Sequence, residues 1–160
     1  MAIKIQHEVN YRVDNLELPS SQEWKNRREW FEKIEEETRG EGSFLVSEQA
    51  CALLVELQSV FCVGAWAAVI IIAAAIVDAQ LRETEIVGFK GNTKNLIDLA
   101  TNGNADLHWL RKRRNALVHV NPDAPAITVD SQWFDRPELE ADARKAVEVT
   151  FEAFYLSPGT

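Results

Sequence analysis

Little in this 160-residue sequence breaks or staples the chain: it has only 7 glycines, 5 prolines and 2 cysteines. So few breakers leave no collagen-like, linker-like or low-complexity tract, and with no internal repeat a solenoid is excluded as well. Cys51 and Cys62 stand eleven residues apart in segments that both read as helix. A continuous helix would separate them by about 16 Å of rise, beyond the roughly 7 Å between Cα atoms that a disulfide tolerates. Two buried, reduced thiols are therefore expected, as in a cytoplasmic protein. Met1 to Glu8 contain no basic start followed by an apolar core, so no signal peptide is expected. The composition, 46% hydrophobic and 26% charged, is that of a globular chain, and this length can bury one core without metal or disulfides.

The common catalytic signatures are missing too. There is no glycine-rich phosphate loop and no Gly-x-Ser-x-Gly elbow. Of the three histidines, His108 and His119 share a helical face but would lie about 16 Å apart along it, too far to hold one ion. Neither a metal nor another cofactor is expected. The net charge of −8 argues against a surface that binds nucleic acid all over. Its distribution has one exception: no acidic residue falls between Asp106 and Asp123, where Arg111, Lys112, Arg113 and Arg114 stand together.

What remains is mostly helical periodicity. Residues 2–18 alternate loosely, as a strand arm would. Ser20 and Glu23 form a capping box ahead of a helix to about Thr38, with Trp24, Phe31 and Ile34 as its apolar stripe. Residues 1–45 are thus an N-terminal extension, an arm and an accessory helix, and residues 46–157 are the main helical body. That body begins with two apolar helices, Ser47 to Cys62 and Ala65 to about Glu85, broken at Gly64. The run from Val60 to Val77 has eighteen residues without a charge, near the length of a membrane span. Its many alanines, its glycine, its polar neighbours and the absence of flanking basic clusters favour a central bundle helix over a span. Gly88 to Gly91 turn, and Thr93 is placed to cap a short helix through Ala100. Asn104 or Asp106 caps the next helix, which ends near Pro122. A loop, Asn121 to Trp133, leads to a last helix capped by Asp135, with Leu139, Ala143, Ala146, Val147, Phe151 and Phe154 facing inward.

The helix between Asn104 and Pro122 carries the available chemistry. At about 100° per residue, Arg111, Arg114, Asn115, His108 and His119 share one sector of about 140°, next to Leu107, Leu110, Leu117 and Val118. Lys112, Arg113 and Trp109 point the other way. Arginine can grip phosphate oxygens with a planar fork and stabilise charge that builds in a transition state. Histidine can move a proton near neutral pH, from a ribose 2′-hydroxyl or to a leaving oxygen. A structural reading stands beside this one. Helix C-termini favour cations in any case, so a paired Arg114 and a capping His119 need no function.

The segment Arg114-Asn115-Ala116-Leu117-Val118-His119 resembles the Arg-x4-His signature of HEPN-domain proteins, including the polar residue after the arginine. The order of the remaining elements is similar to small bacterial members: the break Gly64-Ala65-Trp66, a long alanine-rich helix ending in Asp78 and Leu81-Arg82, a short helix, then Leu110 to His119. The resemblance covers about residues 47–155. It implies an all-α fold, an antiparallel four-helix HEPN-like bundle, usually a homodimer in which two motifs face one cleft. Active members are metal-independent endoribonucleases, in toxin and defence systems among others. The resemblance makes Arg114 and His119 catalytic and Asn115 orienting. It lets Asp78 restrain Arg114, gives Arg111 and His108 supporting places, and leaves Lys112 and Arg113 to attract RNA. An antitoxin or other regulatory protein would be the partner. Some toxin members carry a tyrosine two residues past the histidine where this chain has Asn121, so modification at that place is not implied. Other members are non-catalytic dimerisation or binding modules, which is the alternative that the resemblance implies.

Overall fold

A computed structural model describes residues 18–159. Among them every regular element is helical: α1 (Ser21–Arg39), α2 (Glu48–Val63), α3 (Trp66–Gln80), α4 (Thr93–Thr101), α5 (Ala105–Val118), α6 (Val129–Phe134) and α7 (Arg136–Phe154). The strand arm expected over residues 2–18 lies outside the described residues, apart from the irregular Leu18.

Local chemistry sets most of the boundaries. The Ser20 hydroxyl accepts the Glu23 amide while the Glu23 carboxylate accepts the Ser20 amide, a full capping box at the start of α1. Ser47 caps α2 by accepting the Ala50 amide. The end of α2 needs a left-handed residue, and Gly64 supplies it at φ 83°. Gly64 also splits the uncharged run between α2 and α3. No helix of the described residues is long and apolar enough to cross a membrane.

α3 is the central element and packs on α2, α5 and α7. Gln80, buried at its end, accepts the Ser47 amide (2.8 Å) and donates to the Leu45 carbonyl (3.0 Å). That clamp ties the end of α3 to the start of α2 and fixes the two as antiparallel. The expected continuation of α3 to Glu85 is present as a π-helical turn, Leu81–Glu85. Packed around α3 are Leu57 and Phe61 of α2, Leu110 of α5, and Val147 and Phe151 of α7, all at most 1% exposed. α1 lies on α2 and α7 and inserts Phe31 between the rings of Phe61 and Phe151.

Five expectations need correction. Asn92, not Thr93, caps α4, because the amide side chain accepts the Asn95 amide and leaves the Thr93 hydroxyl free for Asp78. The loop from Asn121 to Trp133 contains the start of a helix, α6, nucleated by a Thr128–Ser131 capping box. Asp135 stands at the N-cap of α7 but makes no side-chain capping bond. Trp24 stays 40% exposed at the open end of α1. Cys51 is exposed rather than buried: α2 turns it away from the face that holds Leu57 and Phe61, whereas Cys62 is enclosed.

Candidate functional site

A cleft of about 520 Å³ opens between α3, the π turn, α4 and α5. Its floor is apolar, with Ala74, Ala75 and Val77 from α3, Ile97 from α4, and Leu107 and Leu110 from α5. Its rim is polar, with three arginines (Arg82, Arg111, Arg114) against two carboxylates (Asp78, Glu83), together with Thr93, Asn115 and Gln49 of α2. Small alanines on α3 make this space, because longer side chains there would fill the gap between α3 and α5.

One wall is rigid. Arg82 grips Asp78 through two bonds, Nε to Oδ2 at 2.7 Å and Nη2 to Oδ1 at 3.0 Å, and the Thr93 hydroxyl donates to Oδ1 at 2.7 Å. The third guanidinium direction is used as well, since Arg82 Nη1 donates to the Phe89 carbonyl. Burial alone would raise the Asp78 pKa. The bonds from Arg82 and Thr93, with the charges of Arg82 and Arg114, outweigh it and hold the carboxyl below the ordinary aspartate range. The bond to Asp78 in turn raises the Arg82 pKa. Asp78 thus stays ionised, and its charge is satisfied before Arg114 is considered.

The opposite wall is less committed. Arg114 Nη1 donates to the Asn115 side-chain oxygen at 3.1 Å, so Asn115 does hold its neighbour's guanidinium. No ion pair joins Arg114 to Asp78 or to another carboxylate among the described residues. The restraint of Arg114 by Asp78 is therefore electrostatic at a distance, because Arg82, four residues along the same helix, occupies the carboxylate. Arg111 Nε is buried and has no hydrogen-bond partner.

The remaining motif residues are dispersed. His119 is the C-cap of α5; its amide donates to the Asn115 carbonyl, and its backbone is extended at φ −117° and ψ 112°. It is exposed and lies outside the cleft lining. The angular argument fails there because helical phase ends at Val118, one residue earlier. His108 turns to α4, where Nε2 meets Asp98 Oδ1 at 2.7 Å. That bond first, and the Lys94 ammonium second, hold the Asp98 carboxyl below its usual range. Arg113 does not face outward: its Nε bonds Asp142 Oδ2 of α7 at 2.7 Å. Lys112 does remain exposed.

Arg82 and Thr93 are the site residues that sequence reasoning missed. The four-residue spacing of Asp78 and Arg82 was the available signal for the first, and reading Thr93 as a cap hid the second. No cluster of three or more His, Cys, Asp or Glu that could hold a metal ion occurs among the described residues. With Arg82 committed to Asp78, the cleft offers two guanidinium groups without a carboxylate partner among the described residues, Arg111 and Arg114, beside an amide and an apolar floor, which suits an anion that carries an apolar or aromatic part. The chain matches no protein-family model, no curated protein and no solved structure.

Proposed function

We propose that this chain is a HEPN-like, metal-independent endoribonuclease whose antiparallel bundle works as a homodimer with a composite cleft. The observation that carries the reading is Arg114, held by Asn115 beside an open cationic cleft and without a carboxylate partner among the described residues. An arginine kept only for stability would be expected to pair, as Arg113 beside it does with Asp142.

In this reading the RNA phosphate sits on Arg114, with Arg111 as a second cation. The ribose 2′-hydroxyl loses its proton and attacks the adjacent phosphorus. The bond to the 5′-oxygen breaks, and that oxygen takes up a proton. The products are a 2′,3′-cyclic phosphate and a 5′-hydroxyl, with no water or metal consumed. Arg114 offsets the charge that builds on the non-bridging oxygens. His119 moves protons. Because His119 stands at the helix end, outside the cleft of its own chain, a second copy is assigned the task of closing the site, so that two motifs flank one substrate. A toxin or defence component, restrained by an antitoxin or other regulatory protein, is the setting that the resemblance implies.

The test is cleavage of RNA in EDTA with analysis of the ends formed. The parent is expected to leave 2′,3′-cyclic phosphates. Arg114→Ala is expected to lower the rate by about 10²–10³ and His119→Ala by about 10²–10⁴, both with unchanged circular dichroism. Equal cleavage by the double variant would falsify the reading.

One observation favours a non-catalytic helical dimerisation or ligand-binding module instead: the exposed His119 is not gathered with Arg114 in the cleft. That module would form dimers and turn over no RNA.

A further inference from the structure

A second depression lies on the other flank of α5. It measures about 700 Å³ and is walled by Lys94 of α4 and by His108, Trp109, Arg111, Lys112 and Arg113 of α5. No carboxylate lines it. The nearby acids pair with groove residues, Asp98 with Lys94 and His108 and Asp142 with Arg113, which leaves Arg111 and Lys112 as the lining cations without a carboxylate partner among the described residues. Lys112 is exposed and makes no ion pair among the described residues. On a chain of net charge −8 this concentration of cations is local, and it coincides with the acid-free stretch between Asp106 and Asp123.

Arg111 connects the two cavities, because it lines both the cleft and this groove. Its Nε is buried without a hydrogen-bond partner, and no carboxylate pairs with it among the described residues. A partly desolvated cation without a counter-ion is costly to keep. An anion beside its guanidinium in either cavity would supply that counter-charge.

We propose that the groove is a second phosphate-binding subsite, which holds the backbone of a single-stranded RNA whose next phosphates cross Arg111 into the cleft. The proposal rests on the ribonuclease reading for the identity of the polyanion. Its geometry favours a single strand. The cleft takes residues 107, 110, 111, 114 and 115 of α5 and the groove takes 105, 108, 109, 112, 113 and 116. At about 100° per residue these sets face nearly opposite ways with Arg111 between them. A ligand that occupies both must bend sharply over one helix, which a flexible strand does and a stiff duplex does not. Trp109, half-buried against the core with the Lys145 ammonium over its ring at 4.5 Å, adds an apolar wall to the groove.

The experiment uses the full chain carrying His119→Ala, so that substrate is not consumed, and a fluorescein-labelled single-stranded RNA. Anisotropy titrations are run at low and at physiological salt. In that background Lys94→Glu with Lys112→Glu is expected to weaken binding by about tenfold or more, and to flatten the log–log salt dependence by about 1.4, the loss of two phosphate contacts on a single strand. Lys25→Glu with Lys33→Glu on α1 changes the net charge equally and is expected to have little effect. A duplex of the same sequence is expected to bind more weakly than the strand.

Equal weakening by both double variants would mean that overall charge, not the groove, governs binding, and would overturn the subsite. So would a groove variant that binds like its parent, a duplex that binds as tightly as the strand, or no RNA binding at all. The fate of the ribonuclease reading is measured separately, on the chain with His119 intact. RNA that binds through the groove but is never cut retains the subsite and rejects the enzyme. Cleavage with no groove dependence does the reverse.

Discussion

Neighbouring arginines on one helix meet different fates here because each faces a different neighbour. Arg113 is clamped to Asp142 and secures α5 to α7, whereas Arg114 reaches only the side chain next to it. The same selectivity governs Asp78. Three hydrogen bonds from Arg82 and Thr93 make it the junction of α3, the π turn and the start of α4. Asp78→Asn removes the charge and leaves Arg82, 29% exposed, without its partner. The expected loss is about 1–2 kcal/mol at neutral pH, the usual range for half-buried, charge-assisted bonds. Its pH dependence follows from the direction of the shift. The folded-state pKa lies below the ordinary value, so the ionised carboxylate contributes its full stability above about pH 4 and loses it as the pH falls through the lower, folded value. Urea unfolding at a series of pH values should show the gap between parent and variant closing below about pH 4; a constant gap would mean that the charge contributes nothing.

At the scale of elements, short-range chemistry was the legible part. Ser20 with Glu23 and Gly64 each announce a helix end through groups within three residues and stand at that place, and of the two cap candidates Asn104 and Asp106 it is Asn104 that caps α5. The apolar stripe of α7 was equally readable, because its six named residues repeat at helical spacing and all are buried. What escaped depends on groups distant in sequence. Thr93 has two possible duties, and only the approach of Asp78, fifteen residues back, selects between them. Arg113 looked solvent-facing because a helical wheel contains no α7. His119 joins the polar sector of the helical wheel only through a phase that stops before it. Gly64 allows a test of the legible part. Its φ of 83° disfavours any residue with a Cβ, and an added Cβ would come within 3.0 Å of Arg27 Nη1. That tip is not free to move, because Arg27 donates to the Cys62 carbonyl and stacks on Trp66. Gly64→Ala should therefore cost about 1–2 kcal/mol, read as a lower urea midpoint with an unchanged slope; an unchanged midpoint would mean that the left-handed turn can be replaced.

For the molecule as a whole, the open matter is whether α1 is an appendage or part of the structure that carries the cleft. The sequence suggests an accessory helix, but the packing joins it to the same core. Phe31 is 2% exposed and meets the rings of Phe61 and Phe151 at 5.8 and 5.2 Å, and Trp30 stacks on Phe61 at 5.0 Å. Phe61 also touches Trp66, the first residue of α3, whose far end holds Asp78 and the cleft. The chain after α1 is held from the other end too, since the Gly159 amide donates to the Ser43 carbonyl and Phe44 packs edge-on against Tyr155. A helix tied to the central core at its middle and just past its C-terminal end should unfold with it. Trp24 and Trp30 report on α1 and Trp66, Trp109 and Trp133 on the remainder, so tryptophan fluorescence and far-ultraviolet circular dichroism sample both. The two signals should follow one denaturation curve. Phe31→Ala should shift that single curve by about 3–5 kcal/mol, the cost of emptying a buried aromatic site, without splitting it. Two separated transitions, or a shift confined to the first of them, would make α1 an appendage. With one curve, α1 belongs to the scaffold that holds α3 in place, and weakening Phe31 should loosen the cleft although no atom of α1 lines it.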